Sequence, residues 1–232
     1  MSHILFNVIK RFFDIISSLF AIVITLPLWL LIAAGIKLSS AGPVFYKAER
    51  VGKNRKNFIL YKFRSMHVYH PEEGSNKTTE GGYIANENRI FKFGGFLRKS
   101  KLDELPQLLN VISGEMSVVG PRPITKAGVA KHYSGAHAKV MTVKPGLACL
   151  DSLFDYAHGE LFIKNEEEFD KKISPVRDEL ADMYVTKQSI MLDLYCIYRT
   201  ISLIIQIGFM KKKNFPYTEY EKIALRKVFG RL

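Results

Sequence analysis

The chain has 232 residues, of which 47% are apolar and 24% are charged, so it is long and apolar enough to form a domain with a core and is not a disordered chain. Its 34 basic and 22 acidic side chains give a formal net charge of +12, which predicts an anionic partner such as nucleic acid, anionic lipid or a phosphorylated substrate. Two widely separated cysteines, Cys149 and Cys196, exclude a disulfide scaffold and a cysteine-based metal site.

Residues 15–36 form an apolar run without a charge, and about 20 such residues suffice to cross a bilayer. Three interpretations compete: a signal peptide, for which the run is long and which would need a cleavage site that is not evident, an ordinary spanning helix, and the rarer re-entrant helix. Pro27 lies in the middle of the run, where it can kink a helix, and basic residues flank the run on both sides. The residues alone favour an ordinary span, because prolines are tolerated in membrane helices.

The rest of the chain alternates short apolar segments with polar connections. Short strands are predicted at 44–46 and 58–66, joined by a basic hairpin at 52–57, and a polar loop is predicted at 70–88. Helices are predicted at 90–99, 106–112, 127–140, 166–187 and 190–209. Gly114 is a helix stop, residues 118–123 are extended, and a basic tail begins at 210. We therefore divide the chain into a membrane segment (1–38), a domain (39–209) and a C-terminal tail (210–232).

Asp103 and Glu104 are adjacent carboxylates just before the predicted helix that begins near Pro106. The positive end of that helix and the basic neighbours Arg98, Lys99 and Lys101 favour ionised carboxylates here. One carboxylate can attack phosphorus, and the other can hold Mg²⁺. For an isolated Asp-Glu pair, however, stabilisation of a helix N-terminus is the better interpretation.

Three basic residues are candidates for phosphate contacts. Arg122 lies between Pro121 and Pro123, which restrict its backbone, and a guanidinium held in this way can contact two phosphate oxygens. Lys62 and Arg64 alternate with apolar residues along a predicted strand. An exposed turn and a solvated strand face are the corresponding alternatives. The pairs His67 with His70 and His132 with His137 lack a zinc pattern, and we expect ordinary surface histidines.

Taken together, these segments resemble the bacterial sugar transferase family, the monotopic polyprenyl-phosphate phosphoglycosyl transferases. The similarity extends over about residues 8–205 and depends on the number and order of the motifs. In chain order they are Lys10-Arg-Phe-Phe-Asp14, Ser40-Ala-Gly-Pro-Val-Phe-Tyr46, Glu49-Arg-Val-Gly52, Tyr61-Lys-Phe-Arg-Ser-Met66, Phe96-Leu-Arg-Lys99, Leu102-Asp-Glu-Leu-Pro-Gln107, Asn110-Val-Ile-Ser-Gly-Glu-Met-Ser117, Val119-Gly-Pro-Arg-Pro123 and Lys144-Pro-Gly146.

The resemblance implies a helix-rich α+β fold with a re-entrant N-terminal helix, broken at Pro27, and a small domain with short strands and interfacial amphipathic helices. This reverses the preference for an ordinary span. The domain would lie on the cytoplasmic face of the bacterial inner membrane, in contact with anionic lipid. Nucleic acid is not an expected partner, and the resemblance leaves a homo-oligomer open.

The implied reaction transfers a sugar-1-phosphate from a UDP-sugar to polyprenyl phosphate and releases UMP, as the first membrane step of polysaccharide or glycoconjugate assembly. Asp103 would form a covalent phospho-sugar intermediate, and Glu104 would bind Mg²⁺. Arg98, Arg122, Lys62 and Arg64 would contact phosphate. A non-catalytic, membrane-anchored assembly protein of the same pathway is the alternative.

Two positions depart from the family pattern. Lys101 stands where similar proteins usually carry serine or threonine before Leu-Asp-Glu. Residues 147–158 replace a segment that usually contains an arginine. Because this segment would shape the choice of sugar or nucleotide, the resemblance leaves the donor sugar open.

Overall fold

The computed structural model of the protein describes residues 3–68, 89–159, 163 and 165–230. The loop predicted at 70–88 and His70 lie outside the described residues. The described α-helices are α1 (His3–Ser39), α2 (Lys92–Lys99), α3 (Gln107–Ser113), α4 (Lys126–His132), α5 (Leu150–His158), α6 (Glu166–Lys172), α7 (Ser174–Lys187), α8 (Ile190–Leu203) and α9 (Glu219–Phe229). The described strands are β1 (Phe45–Val51), β2 (Asn57–Phe63), β3 (Ser117–Val119) and β4 (Gly146–Ala148). The helix-rich α+β expectation is confirmed.

Helix α1 has 37 residues and is therefore about 55 Å long. It continues through Pro27, so the predicted break is not confirmed by the bounds of the helix. Side-chain hydrogen bonds flank the proline: the Thr25 hydroxyl donates to the Ala21 carbonyl (2.6 Å), and the Trp29 indole donates to the Thr25 hydroxyl (3.1 Å). Neither bond replaces the backbone donor that proline removes opposite the Val23 carbonyl, and a threonine hydroxyl bonded to the carbonyl four residues earlier is a feature that often bends a helix.

Most of the surface of α1 is apolar and exposed. Phe12, Phe20, Val23 and Leu30 are each between 67% and 70% exposed. Among the described residues, Leu5–Ser39 and Ile190–Phe209 are long and apolar enough to cross a membrane, by length and composition. An apolar surface of this extent is typical of a protein that contacts lipid or another protein.

Both halves of α1 nevertheless pack on the same domain. In the first half, Arg11 donates to the carbonyls of Val111 (2.5 Å) and Ile112 (2.8 Å) at the end of α3. Also in the first half, the buried Asp14 accepts hydrogen bonds from the Ser117 hydroxyl (3.0 Å) and the Val118 amide (2.9 Å) of β3. In the second half, Ile32 and Ile36 are buried in an apolar cluster with β2 and α2.

The predicted hairpin is confirmed, with a longer first strand than expected. Strands β1 and β2 pair antiparallel from Phe45 opposite Phe63 to Val51 opposite Asn57. Strands β3 and β4 pair in parallel and bring two distant motifs together. A Cβ atom on Gly120 would lie 2.3 Å from the Lys144 carbonyl oxygen, and one on Gly146 would lie 2.1 Å from the Gly120 nitrogen. Only glycine permits this backbone contact.

The main core lies between α5, α7, α8 and α9, around the buried residues Phe154, Val176, Leu180 and Cys196. Helix α9 lies within the predicted basic tail, and its Ala224 is fully buried in this core. Thr218 and Glu221 form a capping box at its start, a local signal that the tail assignment overlooked.

Two predicted helices are each divided. Residues 126–142 form α4 and a separate 3-10 helix (Gly135–Thr142), because Tyr133 leaves the helical conformation and Ser134 is extended. Residues 166–187 form α6 and α7, which meet at Ile173, just before the proline in the first turn of α7. The apolar run at 190–209 is helical throughout, as α8 followed by a π-helical turn (Ile204–Phe209).

Candidate active site

The two adjacent carboxylates lie in a single turn of 3-10 helix (Leu102–Glu104) between α2 and α3. Lys101 precedes this turn in the left-handed conformation, with φ of 56°. The flanking Leu102 and Leu105 pack against the apolar cluster that contains Ile32 and Ile36 of α1. The apolar helix therefore fixes the position of the acidic turn, and the acidic turn lies close to the surface that α1 presents to its surroundings.

Asp103 is buried, and among the described residues no group forms a hydrogen bond with its Oδ1 atom. Burial raises the pKa of Asp103 above the usual range of an aspartate. The charge of Glu104 raises it further, while the positive charges of Lys62, Lys101 and Arg98 oppose the shift only in part. The result is an acidic group whose ionised form is poorly stabilised, as is expected of a reactive carboxylate.

Glu104 differs from its neighbour because cations surround its carboxylate. Lys62 Nζ lies 2.8 Å, Arg122 Nη1 3.6 Å and Lys101 Nζ 4.0 Å from Glu104 Oε1. Burial alone would raise the pKa of Glu104, but these opposing charges outweigh it, and the pKa falls well below the usual range. Glu104 is therefore ionised at any physiological pH.

Arg122 reaches the acidic turn from the segment that follows β3. The Gly120 amide donates to the Ala148 carbonyl, and the Gly146 amide donates to the Pro121 carbonyl, both at 2.9 Å. These bonds and the two prolines fix the backbone on either side of the arginine. The Arg122 amide itself donates to Asp151 Oδ2 (2.9 Å). Residues 118–123, which were predicted to be extended, therefore form a rigid segment that positions the Arg122 guanidinium.

Two carboxylates that the sequence analysis did not single out support Arg122 from α5. Asp151 and Asp155 lie one helical turn apart, and both are buried. Asp155 Oδ2 lies 4.0 Å from Arg122 Nε and 3.6 Å from Nη1 of the fully buried Arg177. In the sequence, the only indication of these two carboxylates is their spacing of four residues within the segment 147–158. The contact between Asp155 and Arg122 depends on tertiary packing.

The structure brings five of the six predicted site residues together, and Lys101 joins them. We call this group the dyad cluster: Lys62, Arg98, Lys101, Asp103, Glu104 and Arg122. Arg98 belongs to it through the effect of its charge on Asp103, from the last turn of α2. Lys62 belongs to it through a direct hydrogen bond to Glu104.

Arg64 lies outside the dyad cluster. Its guanidinium is buried and donates to the Pro43 carbonyl (2.6 Å), the Ser40 carbonyl (2.7 Å) and the Ser40 hydroxyl (2.8 Å). The group also stacks over Phe91. These bonds hold the turn that joins α1 to β1. We therefore assign Arg64 to the support of that turn, and the phosphate contact predicted for it has no basis in this arrangement.

The carboxylates of the dyad cluster fit a magnesium ion. Mg²⁺ prefers one or two carboxylates and completes its shell with water and phosphate oxygens. Asp103 Oδ1 is a buried acceptor without a hydrogen-bond partner among the described residues, and it stands beside an ionised Glu104. The donor chemistry that such an ion requires is thus present in this turn.

A second group of potential ligands is better explained by ion pairing. His137, Glu179 and Asp182 place ligand atoms within 4.8 Å of one another. However, Lys227 binds Glu179 at 2.7 Å and Lys139 binds Asp182 at 2.9 Å, so lysines already compensate both carboxylates. The neighbouring His132 is buried against Asp178 (2.8 Å), so the expectation of a surface histidine was wrong there.

The chain is similar to known proteins over most of its length. The family described as bacterial sugar transferase matches residues 5–207. A UDP-glucose:undecaprenyl-phosphate glucose-1-phosphate transferase of Xanthomonas campestris pv. campestris is 43% identical over 148 residues, covering 61% of this chain and 29% of that protein. The exopolysaccharide production protein ExoY of Rhizobium meliloti (strain 1021) is 33% identical over 205 residues, covering 84% of both.

A third relative carries the name of a different sugar. The UDP-N-acetylgalactosamine-undecaprenyl-phosphate N-acetylgalactosaminephosphotransferase of Aeromonas hydrophila is 32% identical over 203 residues, covering 85% of this chain and 44% of that protein. The chain thus spans less than half of two of these relatives and most of ExoY. Since the family match includes α1, the dyad cluster and the β3–β4 pair, the chain belongs to the bacterial sugar transferase family.

Proposed function

We propose that the protein transfers a sugar-1-phosphate from a UDP-sugar to polyprenyl phosphate and releases UMP. The observation that carries this proposal is the buried Asp103, whose Oδ1 atom lacks a hydrogen-bond partner among the described residues, within a cluster of cations beside an apolar helix. Two relatives are named for transfer of this kind, one from UDP-glucose and one from UDP-N-acetylgalactosamine, to undecaprenyl phosphate. We expect a polyprenyl phosphate acceptor and leave the sugar open.

The reaction proceeds in two displacements at one phosphorus atom. A carboxylate oxygen of Asp103 attacks the phosphorus that bears the sugar, and the bond from that phosphorus to the oxygen shared with the uridylyl phosphate breaks. UMP leaves with that oxygen and the electron pair. An oxygen of polyprenyl phosphate then attacks the same phosphorus, and the bond to Asp103 breaks, which restores the carboxylate.

The cations of the cluster stabilise the negative charge that spreads over the transferred group. Phosphoryl transfer depends mainly on positioning and on electrostatic stabilisation of such charge. Arg122 is held for this task by its fixed backbone, while Arg98 and Lys62 add positive charge around the reacting oxygen. We propose Glu104 as the ligand of a Mg²⁺ ion, which when bound would offset charge on the diphosphate.

We also propose that α1, although helical throughout, bends at Pro27, so that it enters the cytoplasmic face of the inner membrane and returns with Pro27 near the deepest point. An ordinary span would place the two ends of α1 on opposite sides of a hydrocarbon layer about 30 Å thick. Arg11 and Asp14 near one end, and Ile36 near the other, contact the same domain. This arrangement favours a re-entrant helix. The exposed apolar residues of α8, including Met191 and Tyr198, suit an interfacial position.

The reaction is tested with the full chain purified in lipid nanodiscs. We expect UMP release from a pool of UDP-sugars in the presence of Mg²⁺ and polyprenyl phosphate, and a loss of more than about 1,000-fold for Asp103→Asn, since the amide is not a nucleophile. The exposed Lys172→Gln on α6 is the control for a general change of charge. Turnover by Asp103→Asn at the parent rate would remove the nucleophile assignment, and absence of UMP release by the parent protein with every donor would favour a non-catalytic assembly role.

The topology is tested with a single cysteine introduced at position 2, after Cys149→Ser and Cys196→Ser. For a re-entrant helix, we expect no reaction with a membrane-impermeant thiol reagent in intact cells and full reaction after lysis. A cysteine at position 41, which follows α1, should behave in the same way. Reaction of the position-2 cysteine in intact cells would instead establish an ordinary span.

A further inference from the structure

Lys101 has a backbone conformation that is energetically unfavourable for a residue with a side chain. Its φ of 56° lies in the left-handed region, which residues with a side chain disfavour and which glycine adopts freely. The position nevertheless carries a long cationic side chain, of which only 16% is exposed. Side chains kept in such a conformation are concentrated at functional sites.

Tyr156 of α5 holds this lysine in place. The Lys101 ammonium lies 4.8 Å from the centre of the Tyr156 ring, a distance typical of a cation–π contact. The hydroxyl of the buried Tyr156 donates to the carbonyl of Lys99, the last residue of α2 and two residues before Lys101. One tyrosine therefore fixes both the backbone and the charged end of this segment.

The position of Lys101 within the dyad cluster indicates what it can bind. Lys62 Nζ at 2.8 Å, Arg122 Nη1 at 3.6 Å and Lys101 Nζ at 4.0 Å bring three cations to Glu104 Oε1, next to Asp103 in the chain. In the proposed reaction Asp103 attacks a phosphorus atom of the donor, so the donor diphosphate must lie beside these cations. The diphosphate of a nucleotide sugar carries two negative charges, one on each phosphate.

We propose that Lys101 contacts the donor diphosphate and that Tyr156 positions it. This inference rests on the proposed function, because it assumes a nucleotide-sugar donor at the dyad cluster. Helix α5 therefore acts on the diphosphate through Tyr156 and Lys101.

Binding of UDP and of uridine to the full chain in nanodiscs, measured by isothermal titration calorimetry, tests this inference. A contact with phosphate should affect UDP alone. We expect Lys101→Gln to weaken UDP binding about tenfold or more and to leave uridine binding unchanged. Lys101→Arg keeps the charge and should remain within about threefold of the parent protein. Lys172→Gln removes an exposed charge on α6 and should bind both probes as the parent does.

Two variants of Tyr156 separate its ring from its hydroxyl. Tyr156→Leu removes the ring and should weaken UDP binding about threefold to tenfold, while Tyr156→Phe keeps the ring and should have a smaller effect. Unchanged UDP binding by Lys101→Gln, or an equal loss of UDP and uridine binding, would overturn the inference. These outcomes are distinct from failure of the proposed function, which would appear as absent UMP release by the parent protein.

Discussion

Two regions of this molecule use buried charged side chains in different ways: the first half of α1 and the turn that carries the dyad. In α1, both Arg11 and Asp14 make hydrogen bonds to the domain, and Lys10 pairs with Asp193. In the dyad, Asp103 keeps an oxygen without a hydrogen-bond partner among the described residues. The charged groups of the first region therefore fasten one element to another, whereas burial in the second region raises the pKa of a carboxylate.

The largest expected change in stability comes from breaking the first region. Asp14→Ala leaves the Ser117 hydroxyl and the Val118 amide without their acceptor. We expect the free energy of unfolding in detergent micelles to fall by about 2–4 kcal/mol, while the folded fraction keeps its rate of UMP release. Ser17→Ala, which removes only a bond within α1, should change it by less than about 0.5 kcal/mol. A loss of activity without a loss of stability would mean that Asp14 belongs to the reaction.

The dyad itself offers a sharper contrast, because its two carboxylates have opposite pKa shifts. Glu104→Gln removes the counter-charge of three cations and should lower the free energy of unfolding by about 1–3 kcal/mol. Asp103→Asn removes a carboxylate whose ionisation is opposed by burial, and should raise it by up to about 1 kcal/mol while turnover is lost. Glu104→Gln should also need more Mg²⁺ for half-maximal UMP release.

Thermal and denaturant unfolding of both variants in the same micelles provides the measurement. Changes of the same sign in the free energy of unfolding of the two variants would contradict the opposite roles of the two carboxylates. Identical Mg²⁺ titrations for Glu104→Gln and the parent protein would remove Glu104 as the metal ligand.

The pH dependence of kcat/KM is expected to show the smallest effect, but the one that identifies the reacting group most directly. Since the pKa of Asp103 is raised, the acid limb of kcat/KM should lie above the usual aspartate value of about 3.9. Lys62 is the strongest of the charges that lower this pKa, so Lys62→Met should move the limb to higher pH. Lys172→Gln should leave it in place. If Lys62→Met leaves the acid limb of kcat/KM unchanged, that limb reports the titration of a group other than Asp103.

The same two shifts predict opposite effects of pH on stability. The contribution of Asp103 is present at low pH, where the group is protonated, and is lost as pH rises through its raised pKa. The contribution of Glu104 is present above its usual pKa of about 4.3 and is lost as pH falls toward its lowered pKa. Unfolding of the two single variants between pH 3 and pH 7 separates these contributions.

Features that depend on neighbouring residues were predictable from the sequence. The β1–β2 hairpin and the end of α3 at Gly114, which has φ of 89°, follow from turn and cap signals. The dyad lies just before α3, as the acidic pair before Pro106 predicted. These elements are local because their determining residues lie within a few positions of one another.

Features that depend on distant contacts were not predictable in this way. Arg64 is a basic residue near a strand, which in the sequence suggested a phosphate contact. In the fold, its N–H groups donate instead to the hydroxyl and carbonyl of Ser40. Asp155 lies 33 residues from Arg122, and only the packing of α5 brings the two together. The motif that contains Lys10, Arg11 and Asp14 was visible, but its partners lie 100 or more residues away.

These long separations also determine the order in which the protein can assemble during synthesis. Asp14 is made 103 residues before its partner Ser117, and Lys10 is made 183 residues before Asp193. At translation rates of about 5–20 residues per second, α1 waits about 5–20 seconds for the first partner and about 10–40 seconds for the second. During that interval its apolar residues can already enter the lipid, while Lys10, Arg11 and Asp14 are still hydrated. The charged residues would therefore hold the start of the nascent helix at the membrane surface until the domain closes over it.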